Sequence, residues 1–384
     1  MSATLNDLRI ICADGQHNAF TALTYWRDRY WLAWRQADSH NPTPPGHIVV
    51  VTSDDAVQWE PSITIHTGGD DRDPKFFIDD QEGLHVHWGT YVPFESPGVT
   101  TLPLLGLIRR RAILSHIMQR RDDDTGWGFP TPLGRINYWI WSIVSHAPMP
   151  APSRHGLASG NNWWAAAYHF GEAQDTSSIA LFCSSAAMRV QGATGKGPCW
   201  RWHGPLAGEL FTTYSEPVLW YPDDGVACLI RTEHDHAVLG LAPHCGGPWT
   251  LHTLNCLLHS AAVCTLDGIT YVAGRTRYDQ LPKDGQRDFP VRKARDIKDA
   301  WRTSLFRLDF TGKASGMPTL THLLTVPSAG DTGYPGLVAG PKPGTLLLSY
   351  YSQHARALLL SEASHWRLLM QPIPADIYLA EIHV

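Results

Sequence analysis

The stretch from Tyr334 to Tyr351, YPGLVAGPKPGTLLLSYY, contains two apolar runs separated by a turn at Pro343-Gly344. Such a pattern reads as a β-hairpin. The same unit returns along the chain: HNAFTALTYWRDRYWLAWR (17–35), RDPKFFIDDQEGLHVHWG (72–89), SEPVLWYPDDGVACLIR (215–231) and SAAVCTLDGITYVAGR (260–275). A looser copy joins NYWIWSIVSH (137–146) to NNWWAAAYHF (161–170) across a Pro/Ser/Gly-rich insert. Asp224-Gly225 and Asp267-Gly268 sit where the hairpins must turn. Most copies are followed by two more strand-like runs, such as HIVVVTS and WEPSITIH, or TSLFRLDF and THLLTVP. Four strands per unit and six units predict an all-β, six-bladed β-propeller. The unequal spacing also admits five or seven blades. The last unit, ending in DIYLAEIHV, lacks an outer strand, which the N-terminal LRIICAD is expected to supply, closing one domain over 1–384.

Composition agrees with this. The chain has 384 residues, is 17% charged, and is rich in Trp, Gly and Pro, as turn-rich β proteins are. A net charge of −5 with interspersed signs points to neither nucleic acid nor a membrane surface as partner. No apolar run is long enough to span a bilayer. MSATLNDLRIICADG lacks the features of a secretion signal, so a cytoplasmic protein is expected unless a leader has been removed. The seven cysteines form no CxxC pair and read as reduced, mostly buried thiols. Oligomeric state is not legible.

In a propeller the inner strands converge on the central axis, so the residues beginning and ending each inner hairpin are candidates for a site. These are His17 and Asn18, then Arg35, Asp38 and His40, in blade 1; Arg72 and Asp73 in blade 2; Glu216 and Arg231 in blade 4; His259, Ser260 and Arg275 in blade 5; and Asp331, Tyr334 and Tyr350 in blade 6. Arg35, Arg231 and Arg275 each end a second strand, which suits a converging cationic site. Tyrosine is a poor nucleophile at neutral pH, but a carboxylate within reach can take its proton. Glu216 is the candidate for that, and Asp38 or Asp73 for protonating a leaving oxygen.

These residues carry a resemblance to the sialidase superfamily. The spacing from Glu216 to Arg231 resembles the glutamate-and-arginine blade of sialidases. DTGYPGLV (331–338) resembles the strand start that bears their nucleophilic tyrosine, and TSDDAVQWEP (52–61) resembles a degraded Asp-box, with Ser53, Asp55 and Trp59. The resemblance implies a metal-independent, cofactor-free, exo-acting glycoside hydrolase that cleaves a terminal acidic or otherwise polar sugar from a carbohydrate. It implies Tyr334 as nucleophile, Glu216 as its base, Asp38 as acid/base, and Arg231 and Arg275 as ligands of a sugar carboxylate, with Arg35 an additional arginine. The chain departs at the first blade, where sialidases read Arg-Ile-Pro and this one reads His17-Asn18-Ala19-Phe20. HNAF, RDPK and GDTGYPG look most like sialidase-like proteins of unassigned activity. Two rivals follow: a carbohydrate-binding propeller without chemistry, and a polysaccharide lyase using His17 or His259 with a tyrosine.

Other motifs are weaker. His85-Val86-His87 and His234-Asp235-His236 lack a third metal ligand nearby. Trp139, Trp141, Trp163 and Trp164 read as blade core, with one of them a possible sugar platform. The mixed-charge run 283–302 reads as a solvated insertion that overhangs the site.

Overall fold

A computed structural model describes residues 3–93, 111–121, 126–145, 163–170, 177–184, 200–207, 214–222, 224–233, 235–277, 279, 281, 301–311, 316–356 and 373–384. Its strands form six four-stranded antiparallel sheets arranged as blades in a ring. Blade 1 is β2 (His17–Trp26), β3 (Arg29–Ala37), β4 (His47–Ser53) and β5 (Glu60–Ile65). Blade 2 is β6 (Asp70–Ile78), β7 (Leu84–Pro93), β8 (Arg111–Gln119) and β9 (Thr131–Leu133). Blade 3 is β10 (Tyr138–Ser145), β11 (Trp163–Phe170), β12 (Ser177–Ser184) and β13 (Arg201–Ala207). Blade 4 is β14 (Tyr214–Trp220), β15 (Val226–Thr232), β16 (Val238–Ala242) and β17 (Thr250–Thr253). Blade 5 is β18 (His259–Leu266), β19 (Ile269–Arg277), β20 (Trp301–Asp309) and β21 (Thr319–Thr325). Blade 6 is β22 (Thr332–Ala339), β23 (Thr345–Ser352) and β24 (Asp376–His383), completed by β1 (Thr4–Cys12), which pairs antiparallel with β24.

The apolar runs are continuous because both faces of each blade are covered. Along β3, Trp31 and Ala33 enter the cluster shared with blade 2, while Leu32 and Trp34 enter the one shared with blade 6. Along β23, Leu346, Leu348 and Tyr350 face blade 5, and Leu347 and Tyr351 face blade 1. Six such apolar clusters fill the six interfaces between neighbouring blades, which closes the ring. The turn over 52–61 is built on Asp55, whose carboxylate accepts the backbone N–H groups of Val57 and Gln58 and the Ser53 hydroxyl.

Cys228, Cys245 and Cys256 are buried free thiols, and the free thiols Cys12 and Cys264 are only half-buried. Cys199, His234, the insert within blade 3 and residues 283–300 lie outside the described residues. No helix among the described residues is long and apolar enough to cross a membrane.

Candidate active site

Each inner strand breaks its ladder with a β-bulge just after it begins. In five blades the first bulged residue has a left-handed backbone: Phe20 (φ 61°), Asp73 (54°), Glu216 (52°), Ser260 (54°) and Tyr334 (46°). A bulge of this kind re-aims one side chain. At three of the five the next residue is a proline, Pro74, Pro217 or Pro335, which leaves no N–H unpaired where the ladder is interrupted. Blade 3 carries its bulge at Trp141 without the left-handed residue.

Four of these five side chains line one cavity of about 210 Å³. Phe20, Asp73, Glu216 and Tyr334 meet Arg72, Arg231, Glu233 and His40 there, and Tyr91, Trp139 and Tyr168 supply aromatic wall. The fifth, Ser260, gives both its backbone N–H (2.7 Å) and its hydroxyl (2.9 Å) to Glu216 Oε2. The other oxygen, Oε1, accepts the Tyr334 hydroxyl at 2.8 Å and Arg231 Nη1 at 2.5 Å. Burial raises the Glu216 carboxyl, but Arg231, the Tyr334 hydroxyl and Arg275 outweigh it and hold its pKa below the ordinary value. Burial, reinforced by the Glu216 charge, pushes the Tyr334 phenol up, so the pair rests as carboxylate and phenol. Asp73 is 7% exposed, and burial raises it to about 6, against the opposing pull of Arg72 and Lys75.

The three strand-ending arginines hold one position in the repeat. Arg35 pairs with Ala19, Arg231 with Ser215 and Arg275 with His259, each partner lying one residue before a bulge. Only Arg231 lines the cavity, and Glu216 and Glu233 hold it on both sides. Arg275 lies beside the site, its guanidinium 4.7 Å from the Trp301 ring centroid and 5.8 Å from that of Tyr334. Arg35 does not converge on the site. It is fully buried, bonded to Asp70 at 2.6 and 2.9 Å and to the carbonyls of Ser39 and Asn41. Asp70, in the next blade, neutralises it and pins its loop.

Other expected positions also move. Tyr350 is fully buried; it gives its hydroxyl to Pro327 O and stacks on Tyr378. Strand alternation puts Tyr351 on the site side instead, and Tyr351 pairs with Gly333, just before the blade 6 bulge. Asn18 is fully buried and bonded to Asp14, Trp34 and Gln36, so Phe20 is the side chain that the inner strand of blade 1 brings to the cavity. Asp38 is exposed and outside the cavity lining, whereas Asp73 is within it. His17 and His259, the residues expected of a lyase, are buried and do not line the cavity.

Asp331 is also outside the lining. Its carboxylate gathers His40 Nδ1 (2.6 Å), His17 Nε2 (3.1 Å) and the Tyr351 hydroxyl (2.7 Å). Burial raises Asp331, but the two imidazoles more than reverse it and keep the carboxyl well below its usual range. Among the described residues His17, His40 and Asp331 are the one group whose donor atoms lie close enough to share a metal ion. Arg275 lies 3.9 Å from the same carboxylate, and positive charge that close suits a hydrogen-bonded network better than a cation.

His40 and Glu233 were not assigned roles by the sequence reading. Glu233 is two residues past Arg231. His40 is in the loop between β3 and β4, where the repeat gives no register.

No family model and no curated protein matches this sequence. Solved structures do. A Dyadobacter fermentans protein of unknown function aligns over 100% of this chain and 99% of its own, with a TM-score of 0.67 at 16% identity. Trypanosoma rangeli sialidase in complex with the inhibitor DANA gives a TM-score of 0.55 at 10% identity, over 99% of this chain. This chain spans 60% of that sialidase's length. Phage phi92 endosialidase gives 0.57 at 9% identity, over 98% of this chain and 69% of its own. The likeness is one of fold: the chain shares the propeller architecture of these proteins.

Proposed function

We propose that the protein is a glycoside hydrolase of sialidase-like type, acting on a terminal polar sugar through Tyr334. The observation that carries this is the 2.8 Å hydrogen bond from the Tyr334 hydroxyl to Glu216 within an aromatic-walled cavity. In the first half-reaction Tyr334 Oη would attack the anomeric carbon while its proton passes to Glu216. The glycosidic C–O bond breaks and the departing oxygen takes a proton from an acid in the cavity. In the second, water replaces tyrosine at that carbon and gives its proton to the group that served as acid, while Glu216 returns the other proton to the phenolate. Resting as neutral phenol and ionised carboxylate, the pair is in the protonation states this sequence needs.

The cavity's charge argues against a sialic-acid carboxylate as the main handle. The inner strand of blade 1 presents Phe20, not a cation, to the cavity, and Arg231 is already occupied by Glu216 and Glu233. Arg72 lies over the Phe20 ring at 4.7 Å and is the one other guanidinium in the lining among the described residues. A sugar read through its hydroxyls and its apolar face suits such walls better.

The test is a screen of 4-nitrophenyl glycosides, neutral, amino and acidic, sialoside included. Turnover of a neutral sugar, with weak or no sialoside hydrolysis and loss of activity in Tyr334→Phe, is the expected result. Full activity of Tyr334→Phe would remove the proposed nucleophile. Tight glycan binding without turnover would favour a binding propeller.

A further inference from the structure

Resting on that reading, we infer that the proton for the departing oxygen comes from His40, a catalytic residue positioned by Asp331, while Asp73 grips the sugar from the wall of the cavity. The proton donor of a glycosidase must reach the bond on the side where the leaving group exits. Asp73 projects from an inner strand, 7% exposed, among groups that hold the sugar itself. His40 comes from the loop between β3 and β4, and its side chain is 51% exposed while still lining the cavity. Its ring packs edge-on against Phe20 at 5.3 Å, and Phe20 in turn packs against Tyr334 at 4.7 Å. The imidazole therefore stands at the mouth, one ring away from the nucleophile.

Its orientation is built. Asp331 is ionised and can only accept, so His40 Nδ1 carries the hydrogen of their 2.6 Å bond. That leaves Nε2 to hold or give a proton toward the cavity. The loop is fixed from below as well, because Arg72 donates to the His40 carbonyl at 3.1 Å and Arg35 holds the carbonyls of Ser39 and Asn41. Asp331 is itself held by His17 and Tyr351. The charged and titratable groups facing His40 are thus Asp331 and Tyr334 from blade 6, His17 from β2, and Arg72 and Asp73 from β6. Buried Arg35 thereby acquires a purpose that its position in the repeat does not suggest.

The step balances simply. As Tyr334 Oη bonds to the anomeric carbon, the C–O bond breaks toward the aglycone. Its oxygen takes the Nε2 proton of His40, giving a free alcohol. Nε2 then accepts a proton from the incoming water, whose oxygen bonds to the anomeric carbon as the tyrosyl bond breaks. Both groups return to their starting states.

The experiment uses the glycone that the wild-type protein turns over in the screen, as a 2,4-dinitrophenyl and as an alkyl or 4-methylphenyl glycoside. A departing dinitrophenolate needs no proton. His40→Gln should lose roughly a hundredfold or more on the poor leaving group and much less on the good one, the usual span of general acid catalysis. Azide should restore turnover of the dinitrophenyl glycoside in His40→Ala, since it attacks without a base. Asp331→Asn should show a smaller loss with the same leaving-group dependence, which a purely structural defect would not show. Equal loss on both glycosides in His40→Gln, with the leaving-group dependence appearing in Asp73→Asn, would assign the acid to Asp73 and overturn the inference. A second readout needs no substrate. The wild-type imidazole nitrogen spectrum should show His40 protonated at Nδ1, whether or not Nε2 also holds its proton, with that signature lost in Asp331→Asn; its absence from the wild type overturns the dyad. If the dyad is seen but no glycoside is cleaved by the wild type, the hydrolase reading fails and the proton-donor role falls with it. Activity abolished by EDTA and restored by zinc would show that the three side chains hold a metal, which also overturns it.

Discussion

Tyr334, Glu216 and Asp73 each sit in a backbone conformation that L-residues avoid, at about 1 to 3 kcal/mol apiece. Strain repeated at one place in five blades, with four of the side chains in one cavity, puts a local cost to stability at the candidate site. Asp73 adds an electrostatic cost. Its carboxyl titrates at about 6 in the folded chain, against roughly 3.9 for an unfolded aspartate. Between those values the folded state binds more protons than the unfolded one. Its contribution is therefore most favourable below about pH 4 and is lost as pH rises through about 6. A shift of that size corresponds to roughly 1–3 kcal/mol. Asp73→Asn removes the charge while keeping the shape. It should unfold at higher temperature than wild type at pH 7, with the gain shrinking toward pH 4, and should lose sugar turnover. An unchanged difference in melting temperature between pH 7 and pH 4 would show that Asp73 is not held protonated by burial.

At the scale of the strand, close approach between neighbouring blades positions the cavity walls. A Cβ on Gly89 of β7 would lie 2.2 Å from the Trp139 ring, which is 1% exposed and forms part of the cavity. Gly89→Ala should therefore move the indole. The expected outcome is a loss of about 1–3 kcal/mol in stability, as for other overpacked interiors, together with a raised KM for the glycoside. Unchanged KM with lowered stability would remove Trp139 from the sugar platform. This contact also marks what was legible in the sequence. Hairpin repeats, their turn dipeptides and the closing N-terminal strand follow from period and composition, so the blades stand where the pattern put them. The bulges were not read from the sequence: a proline follows the bulged residue at Asp73-Pro74, Glu216-Pro217 and Tyr334-Pro335, but Phe20 and Ser260 lack it and give no local cue. Tyr350 and Tyr351 are both apolar-phase residues in a strand buried on both faces, so alternation alone does not say which faces the site. Arg35 is diverted by Asp70, 35 residues away, and His40 is placed by an aspartate 291 residues away. Pairings across that much sequence are set by ring geometry, which a single hairpin does not encode.

For the molecule as a whole, closure of the ring depends on β1. The strand contributes little core of its own, since most of its residues are exposed or half-buried. Its work is to cover an edge: from Thr4↔His383 to Cys12↔Ile377 it pairs along the length of β24. It also bridges blades 6 and 1, because Arg9 gives Nη1 to Ala56 O in blade 1 at 2.8 Å and approaches Glu381 of blade 6 at 3.4 Å. Leu5 and Leu8 pack toward blade 5, and Ile11 and Cys12 toward blade 1. Removing residues 1–12 would therefore bare the backbone edge of β24, whose side chains are otherwise buried from Asp376 to Ile382. Exposed edges of that kind pair with other chains. Six interfaces close the ring, so opening one frees its neighbours to separate, and the loss should be felt by the cavity on the axis as well as by the last blade. The truncated protein is expected to unfold in one transition at clearly lower temperature, to elute partly as larger species in size-exclusion chromatography, and to lose turnover with Tyr334 and Glu216 intact. A truncated chain that melts at the wild-type temperature and remains the same size would mean that β24 tolerates an open edge. Closure would then owe nothing to the N-terminal strand.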